Sequence, residues 1–191
     1  MDNHHDKNDK VIFGFWIYLM TDLIMFAALF ASFAVLRNNT FGGPSGKELF
    51  NLPFALTETI ILLTSSFICG LGILAVKAGE KNKTAVLFGL TFALGCAFLA
   101  MEITEFSHLI HDGNTWQRSA FLSSFFTLVG THGLHITVGL LWIGILLAKL
   151  WRRGIDASTV RQLTLWSLFW HFLDIVWIFI FTIVYLMGVS L

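Results

Sequence analysis

The 191-residue sequence predicts an all-α, polytopic membrane protein built as a bundle of five transmembrane helices. Hydrophobic residues make up 56% of the chain and charged residues only 13%, whereas soluble domains carry about 25% charged residues. The apolar residues fall into five runs, each long enough for the roughly 20 helical residues that a bilayer requires. These runs lack the alternation typical of membrane β-strands, so helices are the expected spanning structure.

Short polar loops separate the five predicted spans. The spans cover residues 11–36, 53–76, 85–110, 120–150 and 163–187. The fourth is the longest, which predicts a tilted helix or one that extends past the bilayer. Residues 1–10 are polar and are expected to form a disordered tail, while residues 11–191 form a single membrane domain.

Each predicted helix ends where polar or turn-forming residues interrupt the apolar run. The first four runs stop at FGGPSGKE, KAGEKNK, HDGNTWQRS and RRGIDASTVR respectively, and the fifth continues through FWHFLDIVWIFIFTIVYLMG. Because all the loops are short, we expect consecutive helices to be antiparallel neighbours.

The distribution of basic residues predicts the orientation of the chain. The N-terminal segment with the second and fourth loops holds Lys7, Lys10, Lys77, Lys81, Lys83, Lys149, Arg152, Arg153 and Arg161, whereas the other side holds Arg37, Lys47 and Arg118. Because cytoplasmic loops are enriched in Lys and Arg, the N-terminus is expected in the cytoplasm and the C-terminus in the periplasm. Of the cytoplasmic residues, Lys149, Arg152 and Arg153 are candidates to hold lipid phosphates, although ordinary charge bias also explains them.

Net charge and cysteine usage exclude several other functions. The formal net charge is zero with histidine neutral, so no nucleic-acid partner is expected. Cys69 and Cys96 lie in apolar runs without a neighbouring Cys or His in the sequence. They are therefore interpreted as small packing residues and not as a disulfide or a metal pair.

Ionisable residues lie deep inside the predicted spans, where a charged side chain costs about 2.5–3.5 kcal/mol on insertion scales. The candidates are Asp22, Glu102, His132, His135, His171 and Asp174, with Glu58 and Glu105 nearer the outer ends of their spans. The i, i+3 spacing of His171 and Asp174 places both on one helix face. All of these side chains are expected to face other helices or another subunit.

Three interpretations of these residues remain open from their chemistry alone. His132, His135 and His171 could supply two axial haem ligands, or a zinc site together with Asp174. The histidines with Asp22 and Asp174 could instead form a proton relay. In the third interpretation the polar side chains satisfy one another across helices and fix the packing of the bundle.

Two strings, THGLHITVG at residues 131–139 and WHFLDIVWIFIFTIVYLMG at residues 170–188, closely resemble the signature region of subunit III of the haem–copper terminal oxidases. EITEFSHL and FGFWIYLMTDLIMFAALFASF are similar to earlier segments of that family, so the resemblance covers the chain from Phe13 onward. The long mitochondrial form of subunit III has seven spans, whereas this chain has five. At the position of Asp22 the long form carries a glutamate. The short form is most similar to subunit III of bacterial cytochrome bo-type ubiquinol oxidases.

The resemblance implies a non-catalytic subunit of a proton-pumping oxidase in the bacterial inner membrane. It implies no catalytic residue, cofactor or metal in this chain, haems and copper in subunit I, subunits II and IV as further partners, and bound phospholipid. By position, Asp22 would lie near subunit I, Lys149 would contact a lipid phosphate, and the other interior polar residues would fix the bundle. Subunit III of a short cytochrome c oxidase and an independent haem-bearing anchor are the alternatives.

Overall fold

The computed structural model describes residues 2–44 and 46–190, and within these ranges all regular structure is helical. The elements are α1 (Asp2–Leu36), α2 (Gly46–Leu49), α3 (Leu52–Lys77), α4 (Lys81–His111), α5 (Ala120–Arg153), α6 (Ala157–Ile180), a π-helical segment (Phe181–Leu186) and α7 (Met187–Ser190). The last three elements are continuous, so they act as one long helix.

Five of these stretches are long and apolar enough to cross a membrane, which confirms the predicted all-helical fold with five spans. They are Lys10–Leu36, Leu52–Lys77, Lys81–His111, Ala120–Arg153 and Ala157–Val189. The first helix of the structure begins at Asp2, and the expectation that residues 1–10 form a disordered tail stays a prediction. A helix can continue past the membrane surface because its backbone hydrogen bonds are internal.

Side-chain caps fix the starts of three spans. Asn51 accepts from the Phe54 amide at 3.3 Å before α3, and Ser119 accepts from the Leu122 amide at 3.1 Å before α5. Asp156 accepts from the Thr159 amide at 2.6 Å before α6. Each cap satisfies an amide that the first helical turn would otherwise leave unpaired.

The spans do not all pack against their neighbours in the chain. α3 packs on α4 and α6, and α5 packs on α4 and α6, while α1 packs on α5 and α6. The expectation that consecutive helices are neighbours is therefore wrong for the first two spans. The link between them, residues 37–51, includes α2 and is long enough to place α1 away from α3.

A layer of three buried tryptophans from α6, here called the tryptophan layer, lies at the centre of the bundle: Trp166, Trp170 and Trp177. Each indole N–H donates a hydrogen bond to another helix: Trp166 to the Gly139 carbonyl at 2.8 Å, Trp170 to Ser65 Oγ at 3.1 Å and Trp177 to Thr59 Oγ1 at 3.0 Å. The layer joins α6 to α3 and α5 with its polar atoms satisfied.

Candidate functional site

The ionisable residues predicted inside the spans lie in separate places. Asp22 of α1 meets His135 of α5, and His171 and Asp174 of α6 lie beside α3. Glu102 belongs to a third group, here called the carboxyl cluster, which contains Glu58, Glu102, Glu105 and Tyr185.

The pair of Asp22 and His135 connects α1 to α5. Asp22 Oδ2 lies 3.8 Å from His135 Nε2, and His135 Nδ1 lies 2.7 Å from the Thr131 carbonyl oxygen. Because a carbonyl oxygen only accepts hydrogen bonds, Nδ1 carries a proton and Nε2 faces the carboxyl group. The two side chains are only 12% and 16% exposed, so an acid and a base meet away from water.

His132 lies one turn before His135 and packs among aromatic rings. The ring is completely buried, with its centroid 5.3 Å from Trp177, 6.0 Å from Phe98 and 6.4 Å from Phe26. Neither ring nitrogen has a hydrogen-bond partner among the described residues. This histidine therefore serves in the interior of the chain as an aromatic packing residue.

His171 and Asp174 form a second acid–base pair, on the side of α6 that faces α3. His171 Nδ1 lies 2.5 Å from Ser66 Oγ and 3.7 Å from Asp174 Oδ2. The aspartate side chain is 6% exposed, whereas the histidine side chain is 39% exposed. The pair therefore has its acid inside the bundle and one edge of its imidazole on the outer surface.

The carboxyl cluster gathers groups from α3, α4 and the π-helical segment. Tyr185 Oη donates to Glu105 Oε2 at 2.6 Å, and the buried Tyr185 interacts electrostatically with all three glutamates. Both carboxyl oxygens of Glu58 and of Glu102 lack a hydrogen-bond partner among the described residues. Among the described residues, these four oxygens make the cluster the largest group of buried side-chain atoms without a hydrogen bond, and burying such atoms is costly.

Glu102 is held against the backbone of α5. A Cβ atom added at Gly133 would lie 2.5 Å from Glu102 Oε1, so the carboxyl group occupies the space that the absent side chain leaves. Gly133, the first glycine in THGLHITVG, thus makes room for an acid from α4.

Sequence reasoning placed Glu58 and Glu105 near the outer ends of their spans but did not group them with Glu102, and it did not single out Tyr185 or Ser66 as site residues. The similar predicted depth of Glu58, Glu102 and Glu105 in their spans was a signal that could have predicted one cluster. Tyr185 carried no comparable signal, because it enters the cluster through the wider turn of the π-helical segment.

The histidines are not brought together as ligands. His135 faces Asp22, His132 packs among rings and His171 faces Ser66. Across residues 2–44 and 46–190, no three His, Cys, Asp or Glu side chains are grouped so that they could hold a metal ion. The zinc arrangement that the sequence allowed does not form.

The basic residues at the end of α5 border a surface depression of about 510 Å³, and its lining includes Lys149, Arg152, Arg153 and Gln162. Lys149 Nζ donates to Ser158 Oγ at 3.1 Å and to Gln162 Oε1 at 2.7 Å. These bonds fix the ammonium group between α5 and α6, beside the two exposed arginines.

Comparison with known proteins gives matches over nearly the whole chain. The family model described as "Cytochrome c oxidase subunit III" matches residues 2–189. "Cytochrome bo(3) ubiquinol oxidase subunit 3" of Pseudomonas aeruginosa is 56% identical over 98% of this chain and 90% of the relative. The protein of the same name in Pseudomonas putida is 50% identical over 97% and 89%. "Cytochrome c oxidase subunit 3" of Bacillus sp. (strain PS3) is 45% identical over 92% and 84%.

Proposed function

The chain belongs to the cytochrome c oxidase subunit III family, and on this premise we propose that it is the non-catalytic subunit III of a cytochrome bo-type ubiquinol oxidase. It is a multi-pass protein of the bacterial inner membrane. The observation that carries the proposal is the near-full-length similarity to two Pseudomonas proteins with that name, at 56% and 50% identity. Its complex oxidises ubiquinol and reduces oxygen to water, with the haems and copper in subunit I.

The experiment is purification of the complex in mild detergent, followed by identification of its chains and its electron donor. We expect subunits I, II and IV to accompany this chain, and ubiquinol to support oxygen uptake. Oxygen uptake with reduced cytochrome c but not with ubiquinol would overturn the ubiquinol assignment.

Two surface features support direct contact with subunit I. In the apolar window of the first span only 22% of the residues are buried, so much of α1 is available to a partner. His171 is partly exposed although it lies near the middle of the last span, where lipid offers no hydrogen-bond partner. A polar side chain of another subunit would satisfy the outer edge of its imidazole.

Asp22 acts in this proposal as a support for the complex and not as a catalytic group. Asp22→Asn removes the acid that faces His135 but keeps an amide of the same size. We expect unchanged haem content and near-normal initial oxygen uptake, with faster loss of activity during turnover. Complete loss of initial activity in an assembled complex would contradict the supporting role.

Lys149, Arg152 and Arg153 hold lipid phosphates at the cytoplasmic surface in this proposal. The fixed ammonium group of Lys149 between α5 and α6 supports it, because an immobilised cation loses little entropy when an anion binds. Lys149→Gln is expected to lower the phospholipid retained by the purified complex, and equal retention would count against the site.

The N-terminus lies in the cytoplasm and the C-terminus in the periplasm in this proposal. The support is the excess of Lys and Arg in the N-terminal segment and in the loops on its side. An alkaline phosphatase fusion at the C-terminus is expected to be active, since that enzyme requires the periplasm. An inactive but stable fusion would reverse the assignment.

Membership of a cytochrome c oxidase is the second candidate, because the Bacillus sp. relative of that name is 45% identical. The donor assay above separates the two. The independent haem-bearing anchor has less support, because His132, His135 and His171 face different partners. A stoichiometric Soret band in the isolated chain that disappears in His171→Ala would favour the anchor.

A further inference from the structure

We propose a second phosphate-binding site, at the end of the bundle opposite Lys149, that takes the headgroup of a phospholipid between Arg37 and Lys47. The site is a cavity of about 300 Å³ between the end of α1, α2, the start of α5 and the end of the last span. It is distinct from the Lys149 depression and does not depend on which electron donor the oxidase uses.

Two cations that have no partner among the described side chains line this cavity. The side chains of Arg37 and Lys47 make no ion pair or hydrogen bond with any residue whose side chain the structure describes. The third basic residue at this end of the bundle, Arg118, differs, because its Nη1 donates to Asn114 Oδ1 at 2.6 Å. Membrane proteins keep few Lys and Arg on the side opposite their basic loops, yet two of the three here line one cavity.

The remaining lining has the composition that a phospholipid requires. Asn38 and Thr40 add polar groups beside Arg37, while Phe33, Phe121 and Ile183 form apolar walls. Phe33 lies one helical turn before Arg37, so the cavity extends from the end of the first span into its apolar part. A free phosphate would use only the cations, whereas a lipid would use both halves of the cavity.

The backbone fixes the walls of the cavity. The Phe121 amide donates to the Asn39 carbonyl at 3.2 Å, which connects the loop after α1 to the start of α5. A Cβ atom at Gly46 would lie 3.0 Å from the Gly188 carbonyl, so α2 approaches the end of the last span as closely as a glycine permits. The cavity is therefore formed before any ligand arrives.

The turn beside the cavity exposes an aromatic ring. The Gly43 amide donates to the Thr40 carbonyl at 2.8 Å, and both central residues, Phe41 and Gly42, have positive φ of 54° and 73°. A bulky residue rarely adopts this backbone conformation. The Phe41 side chain is nevertheless 93% exposed, next to the end of the first span, where aromatic rings enter the lipid headgroup region.

The test measures binding of phosphatidylglycerol to the purified complex by native mass spectrometry, after titration of the lipid into mild detergent. The double variant Arg37→Gln/Lys47→Gln is expected to lower the affinity for one bound phosphatidylglycerol by about tenfold, since each interfacial cation contributes to anion attraction. The matched control is Arg118→Gln, which removes a charge at the same end of the bundle but outside the cavity. It is expected to bind lipid like the wild type.

Equal lipid binding by the double variant and the wild type would overturn the proposal, as would an equal loss in Arg118→Gln. A second arm of the experiment adds excess inorganic phosphate. If the lipid is retained, the result supports a phospholipid as the ligand of the cavity. Complete displacement of the lipid would assign the site to free phosphate and overturn the proposal. If the double variant fails to assemble, Arg37→Lys/Lys47→Arg and the single glutamine variants replace it. The charge-conserving variant should keep the lipid, and each single variant should weaken binding several-fold.

Discussion

The tryptophan layer and the carboxyl cluster both place large side chains against helix glycines, but they differ in how those side chains are held. A Cβ atom at Gly95 would lie 2.8 Å from the Trp170 ring, and one at Gly133 would lie 2.5 Å from Glu102 Oε1. Trp170 is stacked on Trp166 with centroids 5.1 Å apart and donates to Ser65, whereas the Glu102 oxygens have no partner in the described chain.

The difference separates a rigid part of the interior from an adjustable one. A ring fixed by stacking and by a hydrogen bond has a single position, so neighbouring helices must fit it. A carboxyl group at the end of a flexible side chain can rotate to new partners. Tyr185 is the phenolic donor to this cluster, so carboxyl protons must supply any further donors among the glutamates.

Gly95→Ala tests the rigid region and should have the greatest effect. The new methyl group meets both the Trp170 ring, which is hydrogen-bonded to Ser65, and a Leu140 methyl group, each 2.8 Å away. We expect a loss of about 1–3 kcal/mol in the free energy of unfolding, measured by denaturant titration in detergent.

The control for this variant is Gly89→Ala on the same helix, where nothing lies within 4 Å of the added atom. Because alanine favours helices over glycine, this control should be neutral or more stable by up to about 1 kcal/mol. An equal loss in both variants would mean that the Trp170 contact is not responsible.

Ser65→Ala removes the acceptor of the Trp170 indole N–H. The buried donor then loses its partner, and we expect a loss of about 1–2 kcal/mol in the same unfolding measurement. Ser32→Ala is the matched control, because that exposed serine only donates to the carbonyl one turn earlier. If the two serine variants lose equal stability, the indole bond contributes nothing.

The sequence predicts the existence of the spans better than their arrangement. Hydrophobic runs and polar loops define five spans, because the bilayer imposes length and composition on each helix separately. The same apolar runs also identify the polar residues that lie deep inside the spans. They do not predict which residues these contact. The contact between Asp22 and His135 requires α1 to pack on α5, which no periodicity within either helix specifies. Tyr185 joins the glutamates through a local π-helical turn that the apolar string did not indicate.

Gly133→Ala tests the adjustable region and should cost less than Gly95→Ala. Because the Glu102 carboxyl group can rotate away from the new methyl group, we expect a loss below about 1 kcal/mol. Shortening the acid in Gly133→Ala/Glu102→Asp should restore the lost stability, which a double-mutant cycle measures. A loss equal to that of Gly95→Ala, without rescue by aspartate, would show that Glu102 is as rigid as the tryptophan.

Asp156 provides a reference acid outside the membrane, where an acid and its partners are in water. The hydrogen bonds from Thr159 hold the pKa of the Asp156 carboxyl below its usual value. A lowered pKa means that the charged cap stabilises α6 above the usual carboxyl range and that this stability is lost as the pH falls through the lowered pKa. The Asp156→Asn variant keeps an N-cap at every pH, so the stability of this variant should depend less on pH than that of the wild type. Thermal unfolding at neutral and acidic pH should therefore show a small wild-type advantage that disappears in acid. A constant difference between the two proteins across that range would exclude titration of this cap.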